Sequence, residues 1–106
     1  MKGLTKQNMP ETLYRASRCC RTLGNPTAYL VLRCLGATRK TPGDLSRELR
    51  VPLPTISSTL RHLRQLELVR YEARGIKKEY WVKDSKILGV LDALEAWVEL
   101  MRTKQG

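Results

Sequence analysis

Apolar positions recur three and four residues apart in several stretches of the chain, each bounded by helix start and stop signals. Leu13, Ala16, Cys20 and Leu23 form the first series and predict a helix from Met9-Pro10-Glu11 to about Leu23, ahead of Gly24. Proline suits the first turn, and an acid there is favoured by the helix dipole. Asn25-Pro26 then offers an N-cap followed by proline at the first helical position, and Tyr29, Val31, Leu32 and Leu35 carry a second helix to Gly36. Thr41-Pro42-Gly43-Asp44 repeats this grammar, with Asp44 placed to reach back to the Thr41 cap, and predicts a short helix ending near Arg50. Val51-Pro52-Leu53-Pro54 imposes extended backbone before each proline, so the chain turns before a further helix of about Pro54 to Gln65. Two short helices joined by a tight turn make a helix-turn-helix pattern.

Leu68-Val69-Arg70-Tyr71 and Glu79-Tyr80-Trp81-Val82 are rich in β-branched and aromatic residues and predict a hairpin with a basic tip, Ala73-Arg74-Gly75-Ile76-Lys77. Asp84-Ser85 can cap a last helix from about Lys86 to Thr103, where Ile87, Leu91, Leu94, Val98 and Met101 form one stripe flanked by Leu88, Val90 and Trp97. With no internal repeat and no low-complexity segment, the chain reads as one domain over residues 1–106, mainly α with a small β-hairpin. Its parts are an N-terminal arm and helix at 1–24, a core at 25–83 and a final helix at 84–106.

A chain of 106 residues has room for one core. An apolar share of 42% beside 28% charged residues is that of a globular domain. No apolar run approaches the roughly 20 residues of a membrane span, so no membrane partner is expected. The first residues, MKGLTKQNMPETLYRASR, have no continuous apolar stretch and no small-residue cleavage site, which makes the cytoplasm the expected compartment.

Charge is more informative: 20 Lys and Arg against 10 Asp and Glu give a net +10. Residues 1–38 carry 6 basic and 1 acidic side chains, residues 39–83 carry 11 and 5, and residues 84–106 carry 3 and 4. An excess confined to the first four fifths suggests one surface for a polyanion and another for something uncharged. Ribosomal proteins, membrane-surface binders and proteins that are merely basic share this composition, so charge alone leaves the partner open.

An enzyme lacks its parts here. His62 is the single histidine, and there is no Gly-rich phosphate loop, no G-x-S-x-G and no His/Glu cluster. Asp92 and Glu95 lie together on the last helix, where acids on a solvated face are the ordinary explanation. On a wheel of about 100° per residue the Pro54–Gln65 helix places Ile56, Leu60 and Leu63 on one side and Ser58, Arg61, His62 and Gln65 on the other, with Thr55 and Ser57 near its start. Such hydroxyl, amide, imidazole and guanidinium groups can read base edges in a major groove, although any surface helix is amphipathic. Arg47 and Arg50 on the preceding helix, and Arg74, Lys77 and Lys78 at the hairpin tip, can neutralise phosphates on either side of that groove.

From Leu23 to Trp81 the chain resembles the winged helix-turn-helix of the ArsR-type bacterial and archaeal repressors. Leu23–Leu32 is similar to the family's L-x-D/N-P-T-R-x-x-I-L, Asp44–Leu49 to its D-L-A-x-x-L, Pro54–Leu60 to the P/S-T-V-S-x-H-L start of the recognition helix, and Leu63–Val69 to L-x-x-A-G-L-V, with Gly75 where the wing turns. The resemblance implies a homodimer whose first and last helices pack across a twofold axis, with two recognition helices in successive major grooves of double-stranded DNA. The wide apolar stripe of the last helix supports this independently, because so short a chain has little on which to bury it. The expected interface comprises Leu13, Leu88, Leu91, Leu94, Trp97, Val98 and Met101.

The chain also departs from the family. Thr41-Pro42-Gly43-Asp44-Leu45 stands where soft-metal sensors carry C-x-C-D-L, and the last helix has no histidine, so neither common metal site is present and no cofactor is expected. Thr59, Glu67 and Pro52 replace the usual His, Gly and Ser cap. Cys19, Cys20 and Cys34 leave two readings open. They can bind a soft metal or arsenite, or form a redox pair, as a thiol sensor. Alternatively Cys20 is a small hydrophobe on the apolar stripe and the others are incidental.

The resulting expectation is a dimeric winged helix-turn-helix repressor with N- and C-terminal dimerisation helices and an unknown inducer. Thr55, Ser57, Ser58, Arg61, His62 and Gln65 would contact bases, and Arg47, Arg50, Arg74, Lys77 and Lys78 phosphates. A protein–protein module and a non-specific architectural DNA binder are the alternatives.

Overall fold

The computed structural model describes residues 9–105; the first eight residues of the predicted N-terminal arm lie outside them. Five helices and a hairpin follow in the order α1 (Glu11–Leu23), α2 (Pro26–Leu35), α3 (Pro42–Leu49), α4 (Leu53–Gln65), β1 (Val69–Arg74), β2 (Lys77–Val82) and α5 (Lys86–Gln105). The predicted caps account for most boundaries. The Asn25 side chain accepts from the Ala28 amide at 3.1 Å, with Pro26 in the first turn of α2. Gly36 ends that helix at φ 49°, a region open to glycine at little cost. At α3 the capping box is complete: the Asp44 amide donates to Thr41 Oγ1 at 3.1 Å and the Thr41 amide donates to Asp44 Oδ2 at 3.0 Å. Hydrogen bonding to the carboxylate from the Thr41 amide, and then from the Thr41 side chain, holds the Asp44 carboxyl below the usual carboxylate range.

Two non-glycine residues take left-handed backbone. Arg50 at φ 56° closes α3, and Glu67 at φ 61° turns the chain from α4 into β1. The second is the position where the resembling family has glycine. α4 starts at Leu53, one residue ahead of expectation, and Pro52 supplies no side-chain cap bond.

The hairpin is longer than its apolar cores indicate, with Arg70 paired to Trp81 and Arg74 to Lys77. The strands run into the basic tip because Gly75, at φ 61°, permits a two-residue loop. A further short pairing joins Lys40 to Tyr80 through backbone bonds of 2.8 and 3.0 Å, tying the segment before α3 to the wing.

α2 lies at the centre of the core. It contributes the buried Ala28, Val31, Leu32 and Leu35 and touches α1, α3, α4 and β2. Leu45, Ile56, Leu60, Leu63, Leu68, Val69, Tyr80 and Leu91 complete the buried cluster.

Three expectations about the outer helices change. Leu91, assigned to the dimer interface, is 0% exposed in the single chain because it is the residue by which α5 enters the core, with Ile87 and Leu88 packed beside it. On α1, Leu13 and Cys20 face outward, and it is Thr22 that is buried, with Cys19 and Leu23 against the core. Asp92 and Glu95 are not merely solvated. Arg33 of α2 donates from Nη2 to Asp92 Oδ1 and from Nε to Glu95 Oε2, both at 2.7 Å, and the Tyr29 hydroxyl donates to the same Glu95 oxygen at 2.5 Å. The remaining expected interface residues Leu94, Trp97 and Val98 stay exposed at 45%, 57% and 43%, as does Leu13 at 56%, while Met101 is half-buried.

The Arg33 and Tyr29 bonds hold the Glu95 carboxyl below its usual range. A carboxylate depressed in the fold stabilises it above the ordinary carboxylate pKa of about 4 and loses that contribution as pH falls through the lowered value. Thermal unfolding should therefore show a melting temperature that drops below about pH 5, and Glu95→Gln should lower the neutral-pH value and flatten this acid limb. An acid limb of unchanged steepness in the variant would remove Glu95 from the account.

Candidate nucleic-acid interface

α4 buries Ile56, Leu60 and Leu63 against the core, and this sets which of its side chains reach solvent. Thr55, Ser57, Ser58, Arg61, His62 and Gln65 are all exposed, so the predicted polar face exists as one surface. Its two margins differ. Ser57, Arg61 and Arg64 border the wing, sharing a shallow cleft of about 200 Å³ with Tyr71 and Lys78. Ser58 and His62 border α1, across a cleft of about 550 Å³ whose far wall carries Tyr14, Arg18 and Arg21.

His62 was expected to contact a base, but its Nε2 is engaged with Thr22 Oγ1 at 3.0 Å. Thr22 is the one buried polar side chain of the described residues, and burial demands a partner for its hydroxyl. His62 thereby links α1 and α4 while its side chain remains exposed on the polar face.

The predicted phosphate contacts fall into two groups. Arg47 is paired with Asp44 at 2.6 Å, and Arg74 with Glu79 at 3.4 Å. A phosphate would have to displace a carboxylate at either position. Arg50, Lys77 and Lys78 are exposed and have no carboxylate partner among the described residues. Lys78 Nζ lies 4.9 Å from the Tyr71 ring, whose other cationic neighbour, the Arg64 guanidinium, is at 5.1 Å. Arg64 was not among the sequence candidates; only its spacing from Ser57 and Arg61 on the wheel signalled it.

The same accounting covers the acids. Glu11, Asp44, Glu48, Glu67, Glu72, Glu79, Asp92, Glu95 and Glu99 each pair with a basic side chain, and Asp84 accepts from the Lys86 amide at 2.9 Å. Among the described residues, cations without a carboxylate partner include Arg61 and Arg64 on α4, Lys77 and Lys78 on the wing, and Arg18 and Arg21 on α1, all lining clefts beside α4, with Arg50, Arg70 and Lys86 elsewhere.

The cysteines do not assemble. Cys19 packs against the core, Cys20 is exposed, and the Cys34 Sγ lies 3.9 Å from Glu48 Oε2 of α3. Burial, with the Glu48 carboxylate adding to it, pushes the Cys34 thiol up, the opposite of an activated thiol. Among the described residues no three His, Cys, Asp or Glu side chains come together to hold a metal ion.

Comparison with known proteins follows from this geometry. The sequence model of a family described as "Helix-turn-helix domain" matches residues 23–72, which run from the end of α1 into β1. Solved structures extend the likeness to both flanking helices. The chain has a winged helix-turn-helix fold. The homodimeric winged helix-turn-helix DNA-binding domain of a possible ArsR-family regulator from Mycobacterium bovis superposes with a TM-score of 0.76 at 18% identity, covering 93% of this chain and 91% of that one. HlyU from Vibrio cholerae gives 0.75 at 19% identity over 84% and 97% of the two chains. The transcriptional repressor BigR from Xylella fastidiosa gives 0.74 at 20% identity over 88% and 95%. Comparison with curated proteins found no match.

The winged helix-turn-helix explains why α4 must be held on both sides, and the α1 side rests on the Thr22–His62 bond. Thr22→Val, which keeps shape and removes the hydroxyl, should lower urea-unfolding stability by about 1 kcal/mol. No loss of stability would mean that the bond contributes nothing to seating α1.

Proposed function

We propose that this protein is a homodimeric, sequence-specific regulator that binds double-stranded DNA and represses transcription. The observation that carries this reading is the exposed polar face of α4, bordered by cations that no carboxylate of the described residues neutralises. Ser57, Ser58, Arg61 and Gln65 are the base-reading set, with Thr55 at the start of the same face. Lys77, Lys78 and Arg50 contact phosphates directly, and Arg47 and Arg74 do so by exchanging their carboxylate partners.

Dimerisation is supported by apolar surface that one chain leaves open. Val90, Leu94, Trp97, Val98 and Leu100 of α5 and Leu13 of α1 are between 43% and 57% exposed, and large apolar side chains left open on one helix mark an interaction surface. The Mycobacterium bovis domain is itself a homodimer. Paired recognition helices in successive major grooves read half-sites about 34–36 Å apart, so the operator is an imperfect palindrome. Trp97→Asp should shift the protein from dimer to monomer in analytical ultracentrifugation; a variant that stays dimeric would place the interface elsewhere.

The deciding experiment selects bound duplexes from a random pool at near-physiological salt, with reduced and oxidised protein run in parallel. A palindromic consensus supports the reading, and its loss on oxidation would give the cysteines a sensing role. No enrichment in either state overturns it. Within a selected site, Arg61→Ala should cost about 1–3 kcal/mol and flatten base preference at one position, whereas Lys77→Ala should weaken all sequences alike. Equal loss on every duplex for Arg61→Ala would exclude it as a reader.

A further inference from the structure

A helix lying in a major groove about 12 Å wide has a phosphate backbone on each flank. On one flank of α4 stands the wing, with Lys77 and Lys78. The other flank is α1, and its sequence there is not neutral. Tyr14, Arg18 and Arg21 are spaced four and three residues apart, which places them on one helical face. That face lines the 550 Å³ cleft, opposite Ser58 and His62 of α4. The lining includes no Asp or Glu, and neither arginine has a carboxylate partner among the described residues. Arg15, one residue outside this face, is by contrast paired with Glu11 at 3.4 Å.

We propose that Arg18 and Arg21 on α1 form a second phosphate clamp, gripping the duplex backbone on the flank of α4 opposite the wing. The inference rests on the DNA-binding reading above and extends it to an element outside the helix-turn-helix and wing. Ser58 and Tyr14 supply hydroxyls that can accompany the guanidinium contacts, and the Thr22–His62 bond fixes the distance between the two walls. The ligand is the sugar–phosphate strand and not a small anion, because one wall of the cleft is the reading helix itself. Anything seated on Ser58 and Gln65 from a groove must carry its backbone past α1. The same helix presents Leu13 and Cys20 to solvent on its adjacent face.

The test measures affinity of wild type, Arg18→Ala, Arg21→Ala and the double variant for one selected duplex and one random duplex across a salt series. Each alanine should reduce the slope of log affinity against log salt by about one unit and weaken both duplexes by the same factor. Arg18→Lys and Arg21→Lys should largely restore the slope. Ethylation interference on the wild-type complex supplies a readout that needs no variant, with blocked phosphates expected on both sides of each half-site groove. A wild type that binds duplex while the variants match it in slope and affinity overturns the clamp alone, as does one-sided interference. Loss confined to the selected duplex overturns it in favour of base contact. A wild type without salt-dependent duplex binding brings down the DNA reading and the clamp together.

Discussion

The burial of α2 is the constraint on which the molecule depends. Ala28, Val31, Leu32 and Leu35 form its buried face, and full burial of such side chains is worth about 1.5–3 kcal/mol each for the larger ones. α1, α3, α4 and β2 each cover part of it. A partly exposed stripe carries Tyr29 and Arg33, and these grip α5 through Glu95 and Asp92. α4 can satisfy its own apolar residues only by turning them toward this post, so its polar face is presented outward as a consequence of packing. The exposed polar surface is the residue of core formation.

Electrostatics are organised by subtraction. Individually the surface ion pairs contribute little to stability, since solvent screens them and ordering long side chains opposes them. Collectively they decide where charge remains. Pairs such as Lys40–Glu48, Arg39–Glu72 and Lys83–Glu67 neutralise the sides of the domain. Around α4 cations are instead accommodated without acids, as with Arg64 and Lys78 against the Tyr71 ring. An aromatic face attracts a cation yet leaves its charge available to a phosphate, which a carboxylate would not.

The outer helices show the opposite balance. α5 enters the core through Leu91 and then continues for a further 14 residues to Gln105, carrying exposed Leu94, Trp97 and Val98. No element among the described residues covers them. The helix is thus anchored to the core at one end by Leu91 and the Arg33 bonds, and carries exposed apolar side chains beyond them. α1 likewise divides its circumference among core, cleft and open apolar face, which links the core to the surface proposed for a second copy.

What could be read from the amino-acid order was what local chemistry decides. Asn25-Pro26, Thr41-Pro42-Gly43-Asp44 and Asp84 specify helix starts through hydrogen bonds spanning two or three residues, Gly36 a stop and Gly75 a tight turn through φ, and the α4 wheel fixes its buried face. These need no knowledge of the rest of the chain. Tertiary structure alone decided the Lys40–Tyr80 bridge, the bond between His62 and Thr22, the burial of Leu91 in its own chain and the capture of Asp92 and Glu95 by Arg33. Each joins residues 40 to 62 positions apart, or chooses between two faces of an evenly amphipathic helix. Periodicity shows that such a face is apolar or charged, but only the position of another helix determines what it meets.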